Sequence, residues 1–328
     1  MAAIQQWTVT EVRIARLTTN GPYIDTKGTL LEGPYHDEKR NEFRFVDIWD
    51  HKVYFMDLAK GPDSLRSIET ATSVGVTADV VADGSSNANA NTYSDQMIVG
   101  AKHGFALLDR RTGALSYLRK VWDGEEDSAV RADLMRSNDG AVDSHGRFWV
   151  GAMNDPKVKK PIQEGVLFRL DPDLKLHRML EQLTIPNGIG WNDRDDTMYV
   201  TDSPTGRIYA FDFDASTGAI SNQRVHFQLS EPKEPDGFAI DTDGCIWSAI
   251  YGGRRVIRIS PEGKVIGEVL LPTRNVTCCA FVGTELFITT AKDEPNDELP
   301  KSELYGGKVF RVDVGIKGQP KNQFRFQK

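Results

Sequence analysis

Four short stretches of this chain carry the same residue pattern, and three of them are evenly spaced. Asn138-Asp139-Gly140, Asn187-Gly188 and Asp236-Gly237 follow one another at intervals of 49 residues. Each leads, five residues on, to a second polar residue (Asp143, Asn192 or Asp241) and then to a short apolar run such as Phe148-Trp149, Met198-Tyr199-Val200 or Ile246-Trp247. A fourth copy begins at Glu32-Gly33-Pro34, with Asp37 five residues on and Phe43 to Val46 as its apolar run. Self-similarity at a period of roughly 40–50 residues marks a β-propeller. Each repeat is then one four-stranded blade around a central channel. Equivalent positions of successive blades ring one axis, so Glu32, Asn138, Asn187 and Asp236 are expected to converge although they are far apart in sequence.

At about 50 residues per blade, the 328 residues accommodate an all-β, six-bladed β-propeller in one domain over 1–328, with the two ends of the chain sharing a blade. All-β closed folds of this length form one unit often enough to set aside a two-domain reading. The composition, 39% apolar and 27% charged, is that of a soluble globular chain. A net charge of −7 argues against a nucleic-acid partner. No apolar run reaches the ~18 residues that a membrane span needs. Residues 1–20 lack the basic start and apolar core of a secretory signal. Of the three cysteines, Cys278 and Cys279 are adjacent and Cys245 stands apart, so no disulfide framework is expected. Together these features lead to an expected cytoplasmic location. No cysteine and histidine spacing suits a zinc site.

Along the chain, Trp7 to Ile14 alternates as a strand and is expected to help close the ring. Phe45 to Ile48 and Lys52 to Met56 read as a hairpin of blade one. Asp83 to Thr92 is small, polar and aperiodic, hence a surface loop before blade two resumes at Gln96. Blades three to five repeat a grammar of apolar strand and Gly-containing turn, as in Asp214-Ala-Ser-Thr-Gly218 and Ser260-Pro-Glu-Gly263. Blade six contains Cys278 to Phe281, Glu285 to Thr290 and Lys308 to Val312, with Thr277 in its channel position. Cys278 and Cys279 read as core of its inner strand. The polar insertion Lys292 to Gly307 is a lid or a solvated loop, and charge runs favour the loop.

The four converging positions are all oxygen donors. Glu32 and Asp236 bring two negative charges, while Asn138 and Asn187 bring neutral carbonyl oxygens. Such a set suits one hard divalent cation, Ca²⁺ or Mg²⁺, or a borderline Zn²⁺ or Mn²⁺. Asp or Asn before Gly is also the commonest turn signal. Register favours the metal site, because a turn does not require Glu at the blade-one position. Asp37, Asp143, Asn192 and Asp241 read as turn caps. His103 and His145 have no visible nucleophile partner, and His145 reads as a turn residue.

On these residues the chain resembles the SMP-30/gluconolactonase/luciferin-regenerating enzyme family. The matching pieces are Leu31-Glu-Gly-Pro34, Phe45-Val-Asp-Ile48, Arg136-Ser-Asn-Asp-Gly-Ala-Val-Asp143, Gly146 to Met153, Pro186-Asn-Gly-Ile-Gly-Trp191 and Pro235-Asp-Gly-Phe-Ala-Ile-Asp241, with Gly252 to Arg258 and Thr277-Cys-Cys279 in support. The resemblance implies a propeller with one catalytic divalent cation bound by Glu32, Asn187 and Asp236, with calcium the expected ion. It assigns Arg136 and Asn138 to substrate binding. Two places depart from the family pattern: His36 replaces a common tryptophan, and Asn154-Asp-Pro-Lys157 follows Met153 where some animal members carry a substrate-binding glutamate. The loop from Asn154 to Gln163 is therefore its own.

The implied activity is metal-dependent hydrolysis of a small-molecule lactone, a sugar lactone first. The cation would polarise the lactone carbonyl, Asp236 would act as general base, and Arg136 would hold a substrate oxygen through its planar donors. A non-sugar lactone, an ester or a phosphotriester fits the same site. The reading from another class is a non-catalytic propeller that serves as a binding platform, since fold alone does not decide function.

Overall fold

The computed structural model describes residues 5–8, 22–82, 95–295 and 301–327. Its strands form a ring of six blades, each a meander running from the channel outwards. Blade one comprises Leu31–Asp37, Glu42–Asp47, Lys52–Asp57 and Arg66–Glu69. Blade two comprises Val74–Ala78, Gln96–Ala101, Gly104–Asp109 and Leu115–Lys120. Blades three, four and five begin with the inner strands Met135–Val142, Pro186–Trp191 and Glu234–Ile240. Blade six has Val276–Val282, Glu285–Thr290 and Val309–Asp313. The expected loop at 83–92 lies outside the described residues. No described helix is long and apolar enough to cross a membrane.

Alternation along each strand puts apolar side chains on both faces of a blade, so each blade must be covered twice. The ring meets this need. Among the described residues there are six apolar layers, one between each pair of neighbouring blades. Phe55 and Val53 of blade one meet Met97 and Val99 of blade two, and around the circle Phe287 and Val309 of blade six meet Phe43 and Phe45 of blade one. The layer between blades six and one completes the circle.

The polar residues five places after the channel position cap the turns between first and second strands. Asp143 Oδ1 accepts the backbone N–H groups of His145 and Arg147, each at 3.0 Å. Its Oδ2 accepts from Trp149 Nε1 at 2.9 Å and Arg147 Nε at 2.6 Å. Asp241 repeats the device on Cys245, Trp247 and Arg258. The cap therefore also anchors a fully buried tryptophan on the second strand.

Ring closure differs from the expectation. Gln5–Thr8 pairs in parallel with Val265–Leu270 on the outer edge of blade five, and residues 9–14 lie outside the described set. Closure comes from Tyr23 and Ile24, which exchange backbone hydrogen bonds with Val309 on blade six before the chain enters blade one. An alternating pattern identifies a strand but not which of several open blade edges it joins. The described part of the insertion within blade six, 292–295 and 301–307, is for the most part exposed or half-buried, as a solvated loop requires, but it is pinned at a buried point. Asp293 is buried, pairs with Arg274 at 2.5 Å and accepts from Ser302.

Candidate metal and substrate site

Every inner strand contains one extra residue relative to its partner. These bulges fall at or beside Glu32, Gly75, Asn138, Asn187, Asp236 and Thr277. A bulge bends the strand and re-aims a side chain. The Asn-Gly and Asp-Gly pairs thus lie inside the inner strands, where the sequence had placed them ahead of a strand. Their glycines serve close approach. A Cβ on Gly237 would sit 2.3 Å from Cys278 Sγ, and one on Gly75 would sit 2.0 Å from the Asn138 carbonyl oxygen. Blade two consequently offers backbone alone at its channel position. Thr277 is committed to structure, since its hydroxyl donates to Leu31 O at 2.6 Å and ties blade six to blade one.

The channel has two unlike ends. Residues after the bulges, including Asp139, Ile189, Phe238 and Cys278, line a cavity of about 870 Å³ at one end, crossed by the segment 317–325. Residues before the bulges, with the hairpins that join second to third strands, form the other end, the entrance. Arg136, Asp155 and Glu234 belong to the entrance by this topology.

The bulge brings Glu32, Asn187 and Asp236 together with Arg136 and Asn138, all buried. Asn187 Nδ2 donates to Ser203 Oγ at 3.1 Å, while its Oδ1 has no partner. Asp236 Oδ1 likewise has none. Glu32 Oε2 accepts the Gly33 N–H at 3.1 Å. Asn138 differs from these three: its Nδ2 donates to Pro186 O at 3.0 Å and its Oδ1 accepts from Arg136 Nη1 at 2.8 Å. A guanidinium on that oxygen makes Asn138 a poor cation ligand, although register alone put it among the donors. Arg136 Nη1 also donates to Ser137 O at 2.9 Å, leaving Nε unpartnered.

Burial, and then the negative charge of Asp139, push Glu32 up to about 8. Asp236 is raised by burial and by the charge of Glu32. Burial takes Asp139 up to about 6. The carboxylates are thus short of positive charge. One unpartnered amide oxygen and one unpartnered carboxylate oxygen, beside the raised carboxylate of Glu32, fit a divalent cation held by Glu32, Asn187 and Asp236. Histidines and thiols do not complete such a set, and no group of three or more His, Cys, Asp and Glu forms a metal cluster among the described residues.

The sequence missed Asp139, whose register position is filled by Gly33, Gly188 and Gly237 in the sister copies. That exception was visible in the alignment of the repeats. It also missed Glu234 and Tyr251, which stand opposite each other at the start of blade five and act electrostatically on Asp236 or feel its charge. Their role depends on pairing across strands and has no local signal.

A family model described as the SMP-30/Gluconolactonase/LRE-like region matches residues 30–292. The chain belongs to this family. Regucalcin of Gallus gallus is 33% identical over 90% of the chain and 94% of its own length. A putative sugar lactone lactonase of Bacillus subtilis is 29% identical, covering 90% and 94%. The crystal structure of a calcium-binding protein, regucalcin, from Agrobacterium tumefaciens superposes with a TM-score of 0.82 at 22% identity, covering 99% of this chain and 100% of that one. That likeness in structure speaks for the fold. Membership of the family places the chain among homologues that include lactonases.

Proposed function

We propose that this protein is a divalent-metal-dependent hydrolase that opens a lactone ring, with a sugar lactone as its substrate class. The observation that carries the reading is the pair of buried, unpartnered oxygens, Asn187 Oδ1 and Asp236 Oδ1, on the same ring of bulges as Glu32. Buried polar atoms without partners are costly and call for an explanation such as a bound ion. Calcium is the expected ion, because the donors are all oxygen and the Agrobacterium neighbour is named as calcium-binding. Such a cation supplies Lewis acidity to a carbonyl oxygen.

The chain's own residues divide the remaining work. Asp236 is the general base that takes the proton of the attacking water, its carboxylate exchanging between the cation and that water. Arg136 offers Nε to a substrate oxygen. Its orientation is set by a chain from Pro186 O through the Asn138 amide to Nη1. Asn138 therefore serves substrate binding by holding Arg136 in place. Burial of all five side chains excludes bulk water and strengthens each electrostatic contact. The test is acid release from D-glucono-1,5-lactone with added Ca²⁺, Zn²⁺, Mg²⁺ or Mn²⁺, alongside metal content by mass spectrometry. Asp236→Ala is expected to reduce release to the uncatalysed background. Full activity in that variant with metal still bound would remove Asp236 from the base role.

A further inference from the structure

On blades two and three the entrance carries Lys102, Arg136 and Lys157 around the carboxylate of Asp155. Asp155 is buried, accepts the Lys157 N–H on Oδ1 at 3.0 Å, and lies 3.9 Å from Lys102 Nζ through Oδ2. It is also the carboxylate that acts most strongly on the Arg136 guanidinium. The Asp155 carboxylate thus lies between Lys102 and Arg136, and its own loop carries Lys157. The Lys102 contact is too long for a hydrogen bond. The Lys157 ammonium donates to a neutral acceptor, Trp49 O, at 3.0 Å, and has no carboxylate partner among the described residues. On the opposite side, blades four and five present Asp202 and Glu234.

The position of Lys157 is built into the loop. Asn154 is fully buried; its Oδ1 accepts the Ile162 N–H at 3.0 Å and its Nδ2 donates to Glu164 at 2.8 Å. Asp155 N–H donates to Leu134 O at 2.7 Å, and the N–H groups of Val158 and Lys159 both donate to Asp155 O. The loop so fastened carries Lys157 from blade three past blade two to Trp49 of blade one.

We propose that this cationic arc selects the substrate: the lactone carries a second, anionic group, a carboxylate or phosphate, received by Lys102 and Lys157 while Arg136 holds the end nearest the reacting carbonyl. The inference rests on the lactonase reading and narrows its substrate class. Ammonium groups on an anion form short, charge-assisted hydrogen bonds that a neutral lactone cannot make. A cation among Glu32, Asn187 and Asp236 offsets the two carboxylates there, so the excess positive charge of the arc persists when the site is loaded.

The test compares kcat/KM of the metal-loaded protein for D-glucono-1,5-lactone, its 6-phosphate and D-glucaro-1,4-lactone. A preference of about tenfold or more for one anionic lactone is expected, corresponding to one charge-assisted contact. Whichever anionic arm is preferred identifies phosphate or carboxylate. The preference is expected to collapse towards one in Lys102→Gln/Lys157→Gln, mainly through KM, with melting by circular dichroism confirming the fold. Equal or better turnover of the neutral lactone overturns the inference and leaves the lactonase reading intact, as does a preference that survives the double substitution. If no lactone is opened, the lactonase reading fails, and calorimetry with 6-phosphogluconate and gluconate decides the arc. Tighter binding of the phosphate that disappears in the double variant sustains the anion site, and equal binding overturns it.

Discussion

At the scale of single residues, the repeat conserves a task more than an identity. Asp143 and Asp241 each cap a turn and hold a tryptophan indole six residues on, whereas Asn192 and Asp37 stand before Met198 and Phe43, which have no donor to hold. Asn192 instead accepts two backbone N–H groups of its own turn. Asp241→Ala would remove the carboxylate shared by the Trp247 indole and the Arg258 guanidinium, leaving Arg258 its contact with Asp243 and costing about 2–4 kcal/mol in urea unfolding; Asn192→Ala should cost roughly 1 kcal/mol. Equal losses would mean that the indole contact contributes nothing. The channel carboxylates make a second residue-scale prediction. Glu32 is raised to about 8 and Asp236 is raised in the same direction, chiefly by burial. A carboxylate raised in the folded state favours folding below its unfolded pKa, and that contribution is lost as pH rises through the folded value. Chelator-treated protein should therefore lose stability between pH 5 and pH 8, and added Ca²⁺ should restore it at pH 8. Glu32→Gln should flatten the pH dependence of the chelated form in thermal melts. A chelated melt that does not change with pH would show that these carboxylates are not strained by burial.

At the scale of elements, the inner strands determine which residues can meet. Their bulges bring neighbouring backbones so close that glycine is required beside the channel position. In Gly237→Ala the new Cβ would overlap Cys278 Sγ, 2.3 Å away, and its Cβ, 2.7 Å away. Overpacking of this kind costs about 1–3 kcal/mol. Adding Cys278→Ala should recover part of that loss, because the sulfur goes while the Cβ remains. No recovery in the denaturant midpoint would place the strain elsewhere. The same close approach explains what could be read in advance. The 49-residue interval made the register of Asn138, Asn187 and Asp236 legible, and Glu32 followed by pattern. The meaning of the following glycine was not legible, because Asn-Gly is a local turn signal while the contact that demands glycine comes from the next blade. Gly75 left blade two without a visible channel residue for the same reason. Lys102 and the Asp155–Lys157 loop belong to hairpins of different blades, and only the ring brings them to one side of the entrance.

At the scale of the whole molecule, a ring of like blades has two weak points: the seam where the chain ends meet and the open ends of the channel. The seam is closed by backbone pairing of Tyr23 and Ile24 with Val309. The far channel end is crossed by the segment after blade six. It bonds to Ile240 and Thr242 of blade five, reaches Val142 and Gly146 of blade three, and ends as Phe324–Phe326 in parallel with Val80–Ala82. Phe324 is fully buried in the apolar layer between blades two and three, so it fastens the strap after the strap has passed the cavity. Phe324→Ala should cost about 3–5 kcal/mol. If the strap closes the cavity, its loss should also expose what lies beneath. Cys278 and Cys279 line that cavity, and burial raises both thiols, so in the intact chain they should react slowly with a thiol reagent. In Phe324→Ala, and more so in a chain lacking residues 317–328, labelling of these two cysteines should quicken by an order of magnitude while Cys245, buried elsewhere in blade five, keeps its rate. Mass spectrometry of labelled peptides separates the sites. Parallel acceleration at all three would indicate general loosening of the fold, and no acceleration at any would show that the strap stabilises the ring without sealing its far end.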